Sequence, residues 1–209
     1  MTAGGDQIRI LEEVAAMVRT CTRCELCRGR TNAVPGEGAT NAEIMFIGEA
    51  PGYNEDKQGL PFVGAAGKFL NELLESINLD RNSVFITNVV KCRPPGNRDP
   101  LPDEIEACYP YLERQIETID PLVIVTLGRY SMSRWFPNER ISRIHGQPKR
   151  VGERVIVPMY HPAAALHQGS LRATILADFE RLPMYVAKAK EDRDKFDSTP
   201  PSANQARLF

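Results

Sequence analysis

Apolar residues recur along this chain with two different periods. From Asp6 to Arg19, Ile8, Leu11, Val14, Ala15 and Val18 fall on one face of a helix, with Asp6 as its N-cap. A second helical pattern, Ala66–Ile77, places Phe69, Leu70, Leu73, Leu74 and Ile77 together. A third, Asp103–Ile119, begins with Pro102-Asp103-Glu104, a helix-start signal, and a fourth spans Leu171–Ala189. Between them lie four short, β-rich apolar runs: Glu43–Gly48, Val84–Val89, Leu122–Leu127 and Val155–Met159. Each is bounded by Gly, Pro, Asn or Asp. Strands alternating with helices predict βαβ units around a parallel sheet. The expected fold is α/β, a three-layer αβα arrangement over a central four-stranded, mostly parallel sheet. One domain is expected over 1–189. Beyond Lys190 the chain turns to Asp, Lys, Ser and Pro, and 190–209 reads as a disordered tail.

Composition alters this picture little. The 209 residues are 42% hydrophobic and 25% charged, with a formal net charge of −1. Such a chain can bury a core without disulfides, and it binds nucleic acid only if positive charge is concentrated locally. The first residues lack a signal-peptide pattern, and no apolar run is long enough for a membrane span. A cytoplasmic monomer is expected. Its five cysteines then suggest metal or catalysis more than disulfides.

In open α/β sheets, sites gather beyond the C-terminal ends of strands. Those ends carry Gly48-Glu49-Ala50-Pro51-Gly52, Thr87-Asn88-Val89-Val90-Lys91 and Tyr160-His161-Pro162-Ala163. Glu49, Asn88 and His161 should therefore converge on one rim. Cys21 and Cys24 form a Cys-x-x-Cys pair, with Cys27 three residues on and Cys92 and Cys108 far along the chain. Such a pair grips a metal centre from a tight turn, and distant cysteines can complete a four-thiolate site. Spacing alone does not separate zinc from [4Fe–4S].

These motifs, in this order from Thr20 to Ala187, resemble the family 4 uracil-DNA glycosylases. Gly59-Leu60-Pro61-Phe62-Val63-Gly64 and Lys91-Cys92-Arg93-Pro94 belong to the same series. The resemblance implies release of uracil from DNA by a monofunctional glycosylase that starts base excision repair. It implies a [4Fe–4S] cluster on Cys21, Cys24, Cys92 and Cys108, with Cys27 outside the set. A flipped uracil would stack on Phe62, be read by Asn88 and lie against Ala50, while Glu55 would fill the space of a thymine methyl group. Glu49 would stabilise the sugar cation and orient water, and His161 would donate to uracil O2.

Expected DNA contacts are Leu166, Arg172 and Arg93, with Arg98, Arg143, Lys149 and Arg150 as further phosphate candidates. The Gly-x-x-x-x-Gly-Lys-Ser/Thr phosphate-loop pattern fails, because Phe62 and Phe69 occupy required positions. A relative traps DNA covalently through a His on an insert after the Lys91 position. This chain runs directly into Cys92-Arg93-Pro94-Pro95, so turnover is expected. His145 and His167 are expected at the surface and Trp135 in the core. Gln205-Ala206-Arg207-Leu208-Phe209 resembles peptides that dock on the bacterial sliding clamp through Gln205, Leu208 and Phe209.

Overall fold

A computed structural model describes residues 3–197. Six strands form one sheet: β1 (Glu37–Gly38), β2 (Ile44–Gly48), β3 (Phe85–Asn88), β4 (Val123–Leu127), β5 (Lys149–Val151) and β6 (Arg154–Met159). Their order is β1-β3-β2-β4-β6-β5. The central β3-β2-β4-β6 set is parallel, as the four apolar runs predict. The structure adds an antiparallel strand at each edge.

The helices are α1 (Ala3–Thr20), α2 (Leu26–Gly29), α3 (Tyr53–Gln58), α4 (Ala65–Ser76) and α5 (Pro102–Ile119). They continue with α6 (Arg129–Met132), α7 (Ile141–Ile144), α8 (Pro162–His167), α9 (Leu171–Phe179) and α10 (Leu182–Asp197). Side chains alternate across a strand, so each parallel strand feeds two cores. Ile44 and Phe46 of β2 join Val123, Val125 and Val157 under α4, α9 and α10. Met45 and Ile47 join Ile124 and Ile156 under α1 and α5. Two separate apolar clusters on opposite sheet faces make the three layers. Trp135 packs against the second cluster while only partly buried.

The C-terminal helix departs from expectation in two ways. It breaks at Glu180 and Arg181 into α9 and α10. Pro183 explains the break, since its ring would clash with the Phe179 carbonyl in a continuous helix. The second piece then runs on to Asp197, past the expected boundary at Lys190. Lys190 is held to the body by an ion pair with Glu43 at 2.6 Å, and Arg193 by one with Asp120 at 3.2 Å. Gln205, Leu208 and Phe209 lie outside the described residues.

Candidate active site and cysteine cavity

Parallel neighbours end in register, and that register builds the site. Gly48 pairs with Asn88 across β2 and β3. Glu49 follows the first strand directly, and His161 follows β6 after one residue. All three line one cavity of about 540 Å³, with Ala50, Glu55, Phe62, Asn97, Arg98, Asp99 and His167 also in its wall. The rim expected from the strand ends is thus one continuous cavity.

Gly48 is required by close approach. A Cβ there would stand 2.3 Å from Asn88 Oδ1 and 2.7 Å from the Phe62 ring. Phe62 has a left-handed backbone, φ 52°, a conformation costing on the order of 1–3 kcal/mol for such a residue. Its surroundings hold it there. Arg81 donates to the carbonyl oxygens of Pro61 and Phe62 and to Asn71 Oδ1, and is itself paired with Glu37 at 2.6 Å. Gly67 packs against the same turn, so closely that a Cβ would sit 1.8 Å from the Phe62 carbonyl oxygen. The buried Phe62 ring ends stacked near His161, with centroids 5.5 Å apart.

Asn88 is buried, and its Oδ1 has no hydrogen-bond partner among the described residues. A buried amide oxygen left unpaired costs about 1–3 kcal/mol, so this atom calls for a donor. Glu55 is firmly placed: its carboxylate accepts from the backbone N–H groups of Val63 (2.9 Å), Gly64 (2.8 Å) and Gly52 (3.1 Å). It joins the motif after β2 to the Phe62 turn as a fixed wall. Its neighbour Asp56 is buried and accepts from the Thr31 N–H at 2.8 Å.

The two titratable groups of the rim shift in opposite directions. Burial, reinforced by Asp99 and opposed by Arg129, pushes the Glu49 carboxyl up to about 7. Burial lowers His161 to about 4, against a weaker upward pull from Glu55. The Ala163 N–H donates to His161 Nδ1 at 3.1 Å, so the neutral ring carries its one proton on Nε2. Beyond Glu49 stands a cluster that the sequence did not reveal. Asp99 pairs with Arg129 and accepts from the Tyr130 hydroxyl at 2.7 Å, and Arg129 also lies over the Tyr130 ring.

Several expected DNA contacts turn out to be engaged. Arg172 pairs with Glu72 and covers the Phe69 ring. Arg98 is paired with Glu104, at 2.6 Å, which in turn caps the start of α5. Lys149 pairs with Glu139 and Arg150 with Asp192, and neither they nor Arg143 line the cavity. Leu166 is exposed on α8, and Arg93 is held by Asn97 at 2.6 Å. His167 is exposed but lines the cavity. His145 is not a free surface residue: its Nδ1 donates to the buried Asp178 carboxylate at 2.7 Å, and its ring packs on Tyr160 beside His161.

All five cysteines line a second cavity, between the end of α1, the segment after β3, and α5. Cys92 and Cys108 are buried, and burial raises the thiols of Cys24, Cys92 and Cys108, the last to about 11. Donors face the sulfurs: Arg30 to Cys92 at 3.2 Å, the Lys91 N–H to Cys108 at 3.3 Å and the Arg23 N–H to Cys21 at 3.4 Å. Among the described residues, no group of three or more His, Cys, Asp and Glu has the arrangement that holds a single metal ion.

The strand ends of this three-layer α/β fold thus bring the Glu49 carboxyl, the neutral His161 ring, the unsatisfied Asn88 amide and the Phe62 ring into one cavity. The uracil DNA glycosylase superfamily model matches residues 35–181. The chain is 52% identical to a type-4 uracil-DNA glycosylase of Sulfurisphaera tokodaii, over 82% of this chain and 83% of that protein. It is 50% identical to one of Saccharolobus solfataricus, over 89% and 91% of the two chains. Against one of Thermotoga maritima it is 43% identical, over 86% and 96%. The chain belongs to the uracil DNA glycosylase superfamily.

Proposed function

We propose that this chain is a uracil-DNA glycosylase, which hydrolyses the N-glycosidic bond of deoxyuridine in DNA and leaves an abasic site for repair. The observation that carries the reading is the unpaired Asn88 Oδ1 in the wall shared by Glu49 and His161. A uracil flipped from the helix stacks on Phe62 and lies against Ala50. Its N3–H fills the vacant acceptor at Asn88 Oδ1, while the amide NH2 donates to O4. Cytosine reverses that pattern and leaves both partners unsatisfied. Glu55, fixed by three backbone donors, is the wall against a C5 methyl group.

The C1′–N1 bond breaks with its electron pair leaving on uracil, so positive charge grows on the deoxyribose and negative charge on O2. The Nε2–H of neutral His161 donates to O2, and the Glu49 carboxylate faces the sugar cation. Water adds to C1′ and its proton passes to Glu49. Among the described residues, no lysine lines the cavity to start a lyase step.

Cys21, Cys24, Cys92 and Cys108 are the proposed holders of a [4Fe–4S] cluster, with Cys27 outside the set. The common cavity and the N–H donors toward three of the sulfurs fit thiolates that share a centre. The choice of iron–sulfur over zinc rests on the cysteine pattern's likeness to family 4. When bound, the cluster supplies a structural tie, since glycosidic hydrolysis needs no electron transfer.

DNA containing uracil is the macromolecular partner, reached through Leu166 and Arg93, with Arg172 available once it leaves Glu72. The protein acts as a cytoplasmic monomer, and no described helix is long and apolar enough to cross a membrane. The terminal Gln205, Leu208 and Phe209 are the proposed sliding-clamp contact. Deleting 205–209 should abolish capture by the clamp and spare base release, and retained capture refutes that contact.

The central test measures base release from a uracil-containing oligonucleotide. The parent should release uracil, and Glu49→Gln and His161→Ala should each be slower by about 100-fold or more, the scale of losing a group aimed at developing charge. A cluster-loaded parent that releases no uracil overturns the proposal.

A further inference from the structure

Tyr53 opens α3 immediately after Gly52, a residue of the cavity wall, and is 55% exposed. Two cations lie against its ring. The Arg93 guanidinium carbon stands 5.1 Å from the ring centroid and Lys57 Nζ stands 5.7 Å from it. Three other candidate DNA-facing or rim cations are neutralised: Arg98 by Glu104, Arg129 by Asp99 and Arg172 by Glu72. Among the described residues, Lys57 and Arg93 make no ion pair, and Arg93 is oriented instead by Asn97, itself in the cavity wall. The patch therefore adjoins the cavity mouth at two places, Gly52 on one segment and Pro94 and Asn97 on another.

Two positive charges stand against one exposed aromatic ring, and a polyanion with a flat ring answers both features at once. DNA offers that combination, and flipping a nucleotide strips a stacking partner from its neighbours. We propose that Tyr53, Lys57 and Arg93 form a platform on which the base next to the flipped uridine stacks, with its phosphodiester between the two cations. This rests on the glycosylase reading above. It places a sequence-tolerant grip on the strand itself, since every base has a face to stack. A grip of that kind serves single-stranded as well as duplex DNA.

The test uses the full chain with Tyr53→Ala, Tyr53→Leu and Tyr53→Phe. Substrates are single-stranded oligonucleotides with 2-aminopurine on the 5′ or the 3′ side of uracil. The parent should quench the fluorophore on one side. Alanine and leucine should lose the quench and raise KM about 5- to 150-fold, the loss expected for one stacked base, with kcat within about twofold. Phenylalanine should keep both, because the ring and not the hydroxyl does the stacking. A parent that quenches neither probe, an alanine variant with unchanged KM and quench, or full rescue by leucine overturns the platform while base release stands. A parent without base release brings down the underlying reading instead.

Discussion

In the proposed reaction Glu49 must be an anion to face a sugar cation, yet burial and the Asp99 carboxylate keep its proton on up to about pH 7. The rate of uracil release should therefore climb as pH rises, about tenfold per unit below 7, and level off above it. His161 is neutral above about pH 4 and should add no limb between pH 5 and 9. The cluster around Asp99 sets where the Glu49 limb falls. Asp99→Asn removes a repelling charge and should move it to lower pH, whereas Arg129→Gln removes an attracting one and should move it higher. The same shift bears on stability. A carboxyl raised in the folded state binds more protons there than in the unfolded chain, so its stabilising share is lost as pH rises from about 4.5 to 7. Glu49→Gln should then match the parent's thermal midpoint near pH 5 and exceed it at pH 8. Single-turnover rates and melting curves from pH 5 to 9 check both signs, and a flat rate profile in the parent would contradict the role given to Glu49.

Elements with a strong period were legible in the sequence, and elements without one were not. The four parallel strands emerge where the apolar runs stand, because β2, β3 and β4 are buried on both faces and β6 is buried over Ile156–Met159. The edge strands β1 and β5 have two and three residues, are partly solvated, and carry no apolar signal. The four-residue helices α2, α6 and α7 are too short for helical periodicity to show. Ala189 was a misleading stop, since the weakly apolar stretch from Lys190 is helical to Asp197, pinned by Glu43 and Asp120. Within the site, Glu49, Asn88 and His161 were readable because strand ends put them on one rim. Asp99, Arg129 and Tyr130 were not, because 30 and 31 residues separate the partners and only the fold brings them together. Arg81 was hidden for the same reason. It reaches 20 residues back to support the strained Phe62 turn, and nothing in Asp80-Arg81-Asn82 marks it for that task.

Across the whole molecule, the cysteine cavity joins three segments that the sheet alone does not tie: the exit from α1, the strand-end segment at Cys92 and the α5 helix. Lys91 carries that junction toward the candidate active site. Its backbone N–H faces Cys108, and its buried ammonium donates to the Asn88 carbonyl at 2.8 Å and to Gln115 Oε1 at 2.8 Å. Gln115 in turn donates to the Pro35 carbonyl at 2.7 Å, so one network spans α5, β3 and the loop before β1. Loss of the thiolate tie should loosen α1 and α5 first and be felt at Asn88 through this network. Under the proposed [4Fe–4S] assignment, Cys92→Ser or Cys108→Ser should lower bound iron from about four per chain. Either should also lower the thermal midpoint by roughly 10 °C, at about 2–4 °C for each kcal/mol lost. Base release should fall with it, and discrimination against cytosine should weaken because Asn88 is no longer held. Cys27→Ser should retain iron, midpoint and activity. Elemental analysis beside melting curves separates the possible outcomes. Zinc in place of iron would replace the cluster with a single-ion site. Iron loss in Cys27→Ser equal to that in Cys92→Ser would move Cys27 into the ligand set, and full iron with an unchanged midpoint in Cys108→Ser would dissolve the link between α5 and the base-reading strand.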